Sequence, residues 1–213
     1  MRRLPPTSAA RARRVGGLSV AVIAALASAL AAAPASPSSG AGVSAPSGLA
    51  YSTASPHVVQ RQPPGGSCRA RGAGIYSRPD PRCTPGALNP AVTQATIGST
   101  ICHSGWTSTV RPRESITEPE KLASMRAYGD RGRPSSYEYD HEVPLELGGA
   151  LNDPRNLWPE PDYPGVSRSF YLNPKDKVER ALNRQVCAGK MPLSRAQRLI
   201  ASDWVSAAGA TSP

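Results

Sequence analysis

Tyr139-Asp-His-Glu-Val-Pro-Leu-Glu-Leu-Gly-Gly149, closed by Asn156-Leu-Trp-Pro-Glu160, is the stretch on which the reading of this chain turns. From Tyr137 to Pro144 the residues alternate like a strand, with Tyr137, Tyr139 and His141 on one face and Glu138, Asp140 and Glu142 on the other. Gly148-Gly149 through Arg155 is turn-like, and Asn156 to Glu160 returns as a second short strand that Pro159 marks as an edge. Asn173-Pro-Lys-Asp176 then has the composition of a helix start, with Asn as cap and Pro in the first turn. Val178, Leu182 and Val186 continue a single apolar stripe up to a stop at Gly189.

Before the hairpin, the spacing of Ile97 and Ile101 predicts a short helix beside Cys102, and Trp106 to Val110 reads as extended. Thr117 is the expected cap of a further helix, with Pro119 in its first turn, Glu120 completing a capping box and Gly129 as its stop. After the hairpin, Ser194-x-x-Gln197 opens a last helix that turns Leu199, Ile200, Trp204 and Val205 inward. The expected fold class is α+β: a small, mostly helical, disulfide-stapled domain around one hairpin-helix unit at about 137–187.

The chain has 213 residues and a formal net charge of +10. Arg2, Arg3, Arg11, Arg13 and Arg14 lead into an uncharged run from Val15 to Ala33 with Ala-x-Ala sites at its end, the pattern of a signal peptide over residues 1–35. An uncleaved membrane anchor fits less well, because the run is rich in Ala and Gly and no basic cluster follows it. Residues 36–66 are rich in Pro, Ser, Gly and Ala and read as a disordered tether. The domain is expected over 67–208, with a flexible tail at 209–213.

Cleavage removes five arginines and no acids, leaving +5. That charge suits a polyanion, an anionic cell wall or simple solubility, and decides among none of them. Export explains the four cysteines as disulfides. Of three possible pairings, Cys68–Cys83 closing a local loop and Cys102–Cys187 tying the domain's start to its end are expected. Zinc-thiolate ligation is disfavoured, since no Cys-x-x-Cys pair occurs.

An Asp-His pair, a downstream Asn and a capped helix are the parts that metal-assisted phosphodiester hydrolysis needs: a neutral His to take a proton from water and hard oxygens for a divalent ion. At Asp140-His141, Pro144-Leu145, Gly148-Gly149, Asn156-Leu157 and Asn173 the sequence resembles the HNH nucleases of the ββα-metal (His-Me finger) class. The resemblance implies Asp140 as metal ligand, His141 as general base and Asn156 as the brace that orients it. Asn173 is the third family position, where related exported sequences tend to carry His, and Asp176 is the alternative ligand one turn on. The cofactor implied is one divalent ion, Mg2+ first, with Mn2+, Ni2+ or Zn2+ compatible. The zinc-binding Cys pairs of many such domains are absent, and the Cys102–Cys187 bridge and terminal helices are expected in their place.

The implied function is a secreted nuclease acting on DNA or RNA, monomeric, with possible cell-wall association and no stable membrane association after signal cleavage. Glu146 is a candidate for positioning, whereas Glu142 reads as a solvated strand edge. Arg155, Lys175 and Lys177 are candidate phosphate contacts, with Arg131, Arg133 and Arg180 in the same neighbourhood. His103 reads as structural, and Tyr139 and Trp158 as core. The alternative is a catalytically inactive exported module that keeps the scaffold for binding or structure.

Overall fold

Four-residue steps from Val178 through Leu182 to Val186 put one apolar stripe on a helix, and in the computed structural model this is α3, Pro174–Cys187. The structure describes residues 48–162 and 173–209, so the expected signal peptide (1–35) and residues 210–213 of the expected tail lie outside the described residues. The stripe packs on α4, Leu193–Gly209, whose Ala196, Ile200, Trp204 and Ala207 are buried. Leu88, Val92, Ile101, Val143 and Leu147 complete this core. Each fully buried side chain of this size contributes roughly 1.5–3 kcal/mol. A smaller cluster joins Cys68, Ala127, Tyr128 and Trp158, with the Tyr128 and Trp158 ring centroids 6.0 Å apart.

The described residues mix helix and sheet. β1 (Ala50–Tyr51) and β2 (Ala87–Leu88) pair in parallel, and α1 (Trp106–Val110) and α2 (Glu114–Tyr128) follow. β3 (Tyr137–His141) and β4 (Leu157–Pro161) then form an antiparallel hairpin in which Tyr137 faces Pro161 and His141 faces Leu157. The hairpin precedes α3 and α4, and α2 packs against β4. Both disulfides pair as expected, Cys68 with Cys83 and Cys102 with Cys187. The second fastens the end of α3 to the segment before α1. Among the described residues no helix is long and apolar enough to cross a membrane.

Three expectations are corrected. Trp106–Val110 is helical rather than extended. α2 begins at Glu114, so Pro119 lies inside it and Thr117 is no cap; Glu120 faces inward, fully buried, instead of closing a capping box. The tether does not extend to residue 66, because residues from Leu49 onward are docked on the domain. β1 pairs with β2, Ser52 Oγ donates to Asp153 at 2.7 Å, and the Gln60 N–H donates to Glu120 Oε1. Composition predicted disorder because this segment has few apolar residues; polar and backbone hydrogen bonds hold it instead.

Within the hairpin loop Gly149 permits a close backbone approach: a Cβ there would lie 1.7 Å from the Val143 carbonyl oxygen and 2.8 Å from Asn156 Nδ2. Gly149→Ala is therefore expected to cost about 3 kcal/mol or more in urea denaturation. Gly98→Ala, where a Cβ meets nothing within 4 Å, should stay within about 0.5 kcal/mol of the wild type.

Candidate functional site around His141

Asn156 is fully buried just before β4, and its amide makes four hydrogen bonds. Oδ1 accepts from the Val143 N–H at 2.9 Å and the Ala87 N–H at 3.2 Å, while Nδ2 donates to the carbonyls of Val143 at 3.0 Å and Ala150 at 3.1 Å. One side chain thus fastens both ends of the loop between the strands. Asn183 Nδ2 donates to the Glu146 carbonyl at 2.7 Å and Gln197 Nε2 to the Leu147 carbonyl at 2.9 Å. Helices α3 and α4 thereby satisfy backbone groups that an irregular buried loop would otherwise leave unpaired.

The loop positions His141 from both sides. Val143, held by Asn156, lies two residues after it, and Leu151, next to the held Ala150, supplies the carbonyl that His141 Nε2 meets at 3.1 Å. A carbonyl only accepts, so Nε2 carries the hydrogen and Nδ1 keeps a lone pair. His141 is 7% exposed. Burial lowers its pKa to about 4, against the opposing pull of Asp140 and the Leu151 hydrogen bond, with Arg111 and Lys175 adding to the lowering. The ring is neutral at physiological pH.

The carbonyl that sets this tautomer is itself strapped down. Asn152 Nδ2 donates to Glu120 Oε1 at 2.9 Å and to the Val58 carbonyl at 3.1 Å, and Asp153 accepts from Ser52. The docked segment before the first disulfide thus reaches the residues flanking Leu151.

On α3, Lys175 is fully buried. Its Nζ donates to Asp140 Oδ2 at 2.6 Å, to the His141 carbonyl at 2.7 Å and to Glu179 Oε1. Glu142 and Glu160 are also buried and close enough to act on its charge. Burial pushes the Asp140 carboxyl up, but Lys175 and a hydrogen bond from Glu160 outweigh it and hold the group below its ordinary value. Burial raises Glu142 and Glu179 to about 8 and Glu160 well above its usual range. Lys175 is thus ion-paired with both Asp140 and Glu179, while burial raises the carboxyls around it.

The structure brings Asp140, His141, Asn156, Lys175 and Asp176 into one neighbourhood, with several departures from expectation. Lys175 is buried among carboxyls and is no phosphate contact. Arg155 is bidentate on Asp153, with a closest approach of 2.6 Å, and its side chain is 45% exposed. Glu142 is 2% exposed, not a solvated edge. Asn173 occupies the N-cap of α3 without a side-chain cap bond; Asp176 instead accepts from the Asn173 backbone N–H. Glu146 is part-buried, its carboxyl raised by burial, and Oε1 has no hydrogen-bond partner among the described residues. Lys177 is exposed.

Arg111, which no sequence pattern singles out, is exposed and within electrostatic reach of the His141 ring. Nothing local marks it, since thirty residues separate the two in the chain.

The expected divalent ion does not fit this donor set. One oxygen of Asp140 already holds the Lys175 ammonium, and Asp176 is engaged with the helix N-terminus. Among the described residues no group of three His, Cys, Asp or Glu is placed to hold a metal. Comparison of the chain with protein-family models, with curated proteins and with solved structures found no match.

Asn156→Ala would leave several buried backbone groups unpaired, at about 1–3 kcal/mol each, so a loss of about 3 kcal/mol or more is expected in urea denaturation. Stability should also fall as pH rises above 7. Glu142 keeps its proton in the folded chain up to about 8 but releases it near the ordinary carboxylate value when unfolded, so its contribution is lost as pH rises through that window. His141 is neutral in both states there and adds no slope. Thermal melts at pH 7 and 9 check this, and Glu142→Gln should flatten the dependence.

Proposed function

We propose that this protein hydrolyses phosphodiester bonds of nucleic acid, DNA or RNA, with His141 as general base. The observation that carries the reading is the ring's state: neutral, its Nε2–H spent on the Leu151 carbonyl, its Nδ1 lone pair left to take a proton from water. A general base is worth roughly a hundred- to ten-thousandfold in rate when its pKa lies near the working pH, and one near 4 belongs at the lower end of that range. Asn156 acts through the loop as a positioning residue. Arg111 and Lys177 are exposed cations suited to phosphate oxygens. The resemblance to HNH nucleases at Asp140-His141, Gly148-Gly149 and Asn156 supports the same assignment. Two disulfides suit an oxidising compartment, and export of the enzyme belongs to this proposal.

No catalytic step is assigned to a divalent ion at Asp140, for the reason of fit given above. A second reading, a non-catalytic exported module, is favoured by the same Asp140–Lys175 pair and by the low exposure of His141. It predicts that removing the imidazole changes stability and binding but no reaction.

Incubation of the purified protein with plasmid DNA and with RNA, in EDTA and with added Mg2+ or Mn2+, separates the two. Cleavage that falls at least a hundredfold in His141→Ala is expected; equal inactivity of both proteins in every condition overturns the enzymatic reading. A base with a pKa near 4 works only when deprotonated. The rate should therefore hold level from pH 8 down past 5.5, where an ordinary imidazole is mostly protonated, and fall as pH drops through about 4.

A further inference from the structure

We propose that Lys175 is a built-in cation: its ammonium occupies the position at Asp140 where the resembled nucleases hold a divalent ion, and this chain binds no metal there while Lys175 is in place. An ammonium has three hydrogens, and all three are used: on Asp140 Oδ2 and the His141 carbonyl from the end of β3, and on Glu179 Oε1 from α3. The side chain is fully buried, so it is not a surface lysine that has folded over an acid.

Position and charge both exclude a second cation. A hard divalent ion needs Asp140 oxygen at about 2.0–2.6 Å, and Nζ already stands 2.6 Å from Oδ2. The ammonium is ion-paired with Asp140 and with Glu179, so Asp140 already has its cation. A dication added to this buried, neutralised cluster would face the ammonium at close range without new negative charge.

The tethered ammonium also holds the backbone of His141 through its carbonyl, which makes Lys175 a positioning residue for the imidazole. In its chemical meaning the inference rests on the phosphodiesterase reading, which would then run without an ion at Asp140. As a statement about occupancy it stands apart from that reading.

The experiment is a titration of the purified protein with Mn2+, following paramagnetic broadening of the His141 ring and Asp140 amide signals by NMR. Alongside it, reductive methylation of lysines is read by mass spectrometry with and without Mn2+. The expected result is no saturable broadening at these residues in millimolar Mn2+, with Lys175 unmodified in both conditions. In Lys175→Ala, which frees Asp140 Oδ2, Mn2+ broadening at Asp140 should exceed that of the wild type at the same Mn2+ concentration. Saturable broadening at His141 and Asp140 in the wild type, or Mn2+-induced methylation of Lys175, would overturn the proposal. If Lys175→Ala does not fold, the two wild-type measurements decide alone. Absence of nucleic-acid cleavage would sink the phosphodiesterase reading and leave this occupancy result unchanged.

Discussion

A fully buried ammonium is costly unless each hydrogen finds an acceptor and its charge finds a partner, and at Lys175 both conditions are met across two elements. The first turn of α3 is fixed to the last residues of β3 by Asp140 and the His141 carbonyl, and to its own next turn by Glu179. Neither the hairpin nor the helix satisfies this charge alone. The seating of α3 therefore follows from the ionic cluster as much as from the apolar stripe that packs on α4. The same cluster shapes the electrostatics around His141, since burial raises the surrounding carboxyls while Lys175 stays paired with Asp140 and Glu179.

The second constraint is the loop between the strands, an irregular backbone inside the core. Such a segment is tolerated only when its polar groups are answered, and here side chains do so: Asn156 from the start of β4, Asn183 from α3, Gln197 from α4. Gly149 allows the Val143 carbonyl to come close enough for the clamp to form. Because Asn156 acts beside both His141 and Leu151, the tautomer of the imidazole is a property of the whole loop. The strap through Asn152 and Ser52 extends that dependence to the segment before the first disulfide.

Legibility in the sequence followed the range of each interaction. The α3 stripe, the Gly129 stop and the hairpin were readable, since periodicity and turn chemistry are local. The role of Asn156 as a brace was inferred by resemblance, and its four bonds give that role a geometry. Trp106–Val110 misled because five residues carry too little pattern to separate helix from strand. α2 misled because Thr117-x-x-Glu120 imitates a capping box inside a helix already under way, where Glu120 is needed by Gln60 and Asn152. The docking of residues 49–62 left no trace in composition, since it relies on partners far away in the chain: Asp153 for Ser52, Glu120 for the Gln60 N–H, Asn152 for the Val58 carbonyl.

By itself the sequence determined the hairpin, the two helices that follow it and the residues that meet at the site: Asp140-His141, the double glycine, Asn156 and the helix opening at Pro174. It could do so because each is written in spacing within one element or one turn. Only the tertiary structure decided what those residues are doing. A lysine one turn into a helix looks like a phosphate contact, and an aspartate beside a histidine looks like a metal ligand, until folding brings them to 2.6 Å with the lysine fully buried. There burial joins two surface-type charges in one pair, raises the acids around it and lowers the neighbouring imidazole. Charge state depends on what surrounds a group in three dimensions, and no sequence pattern states that.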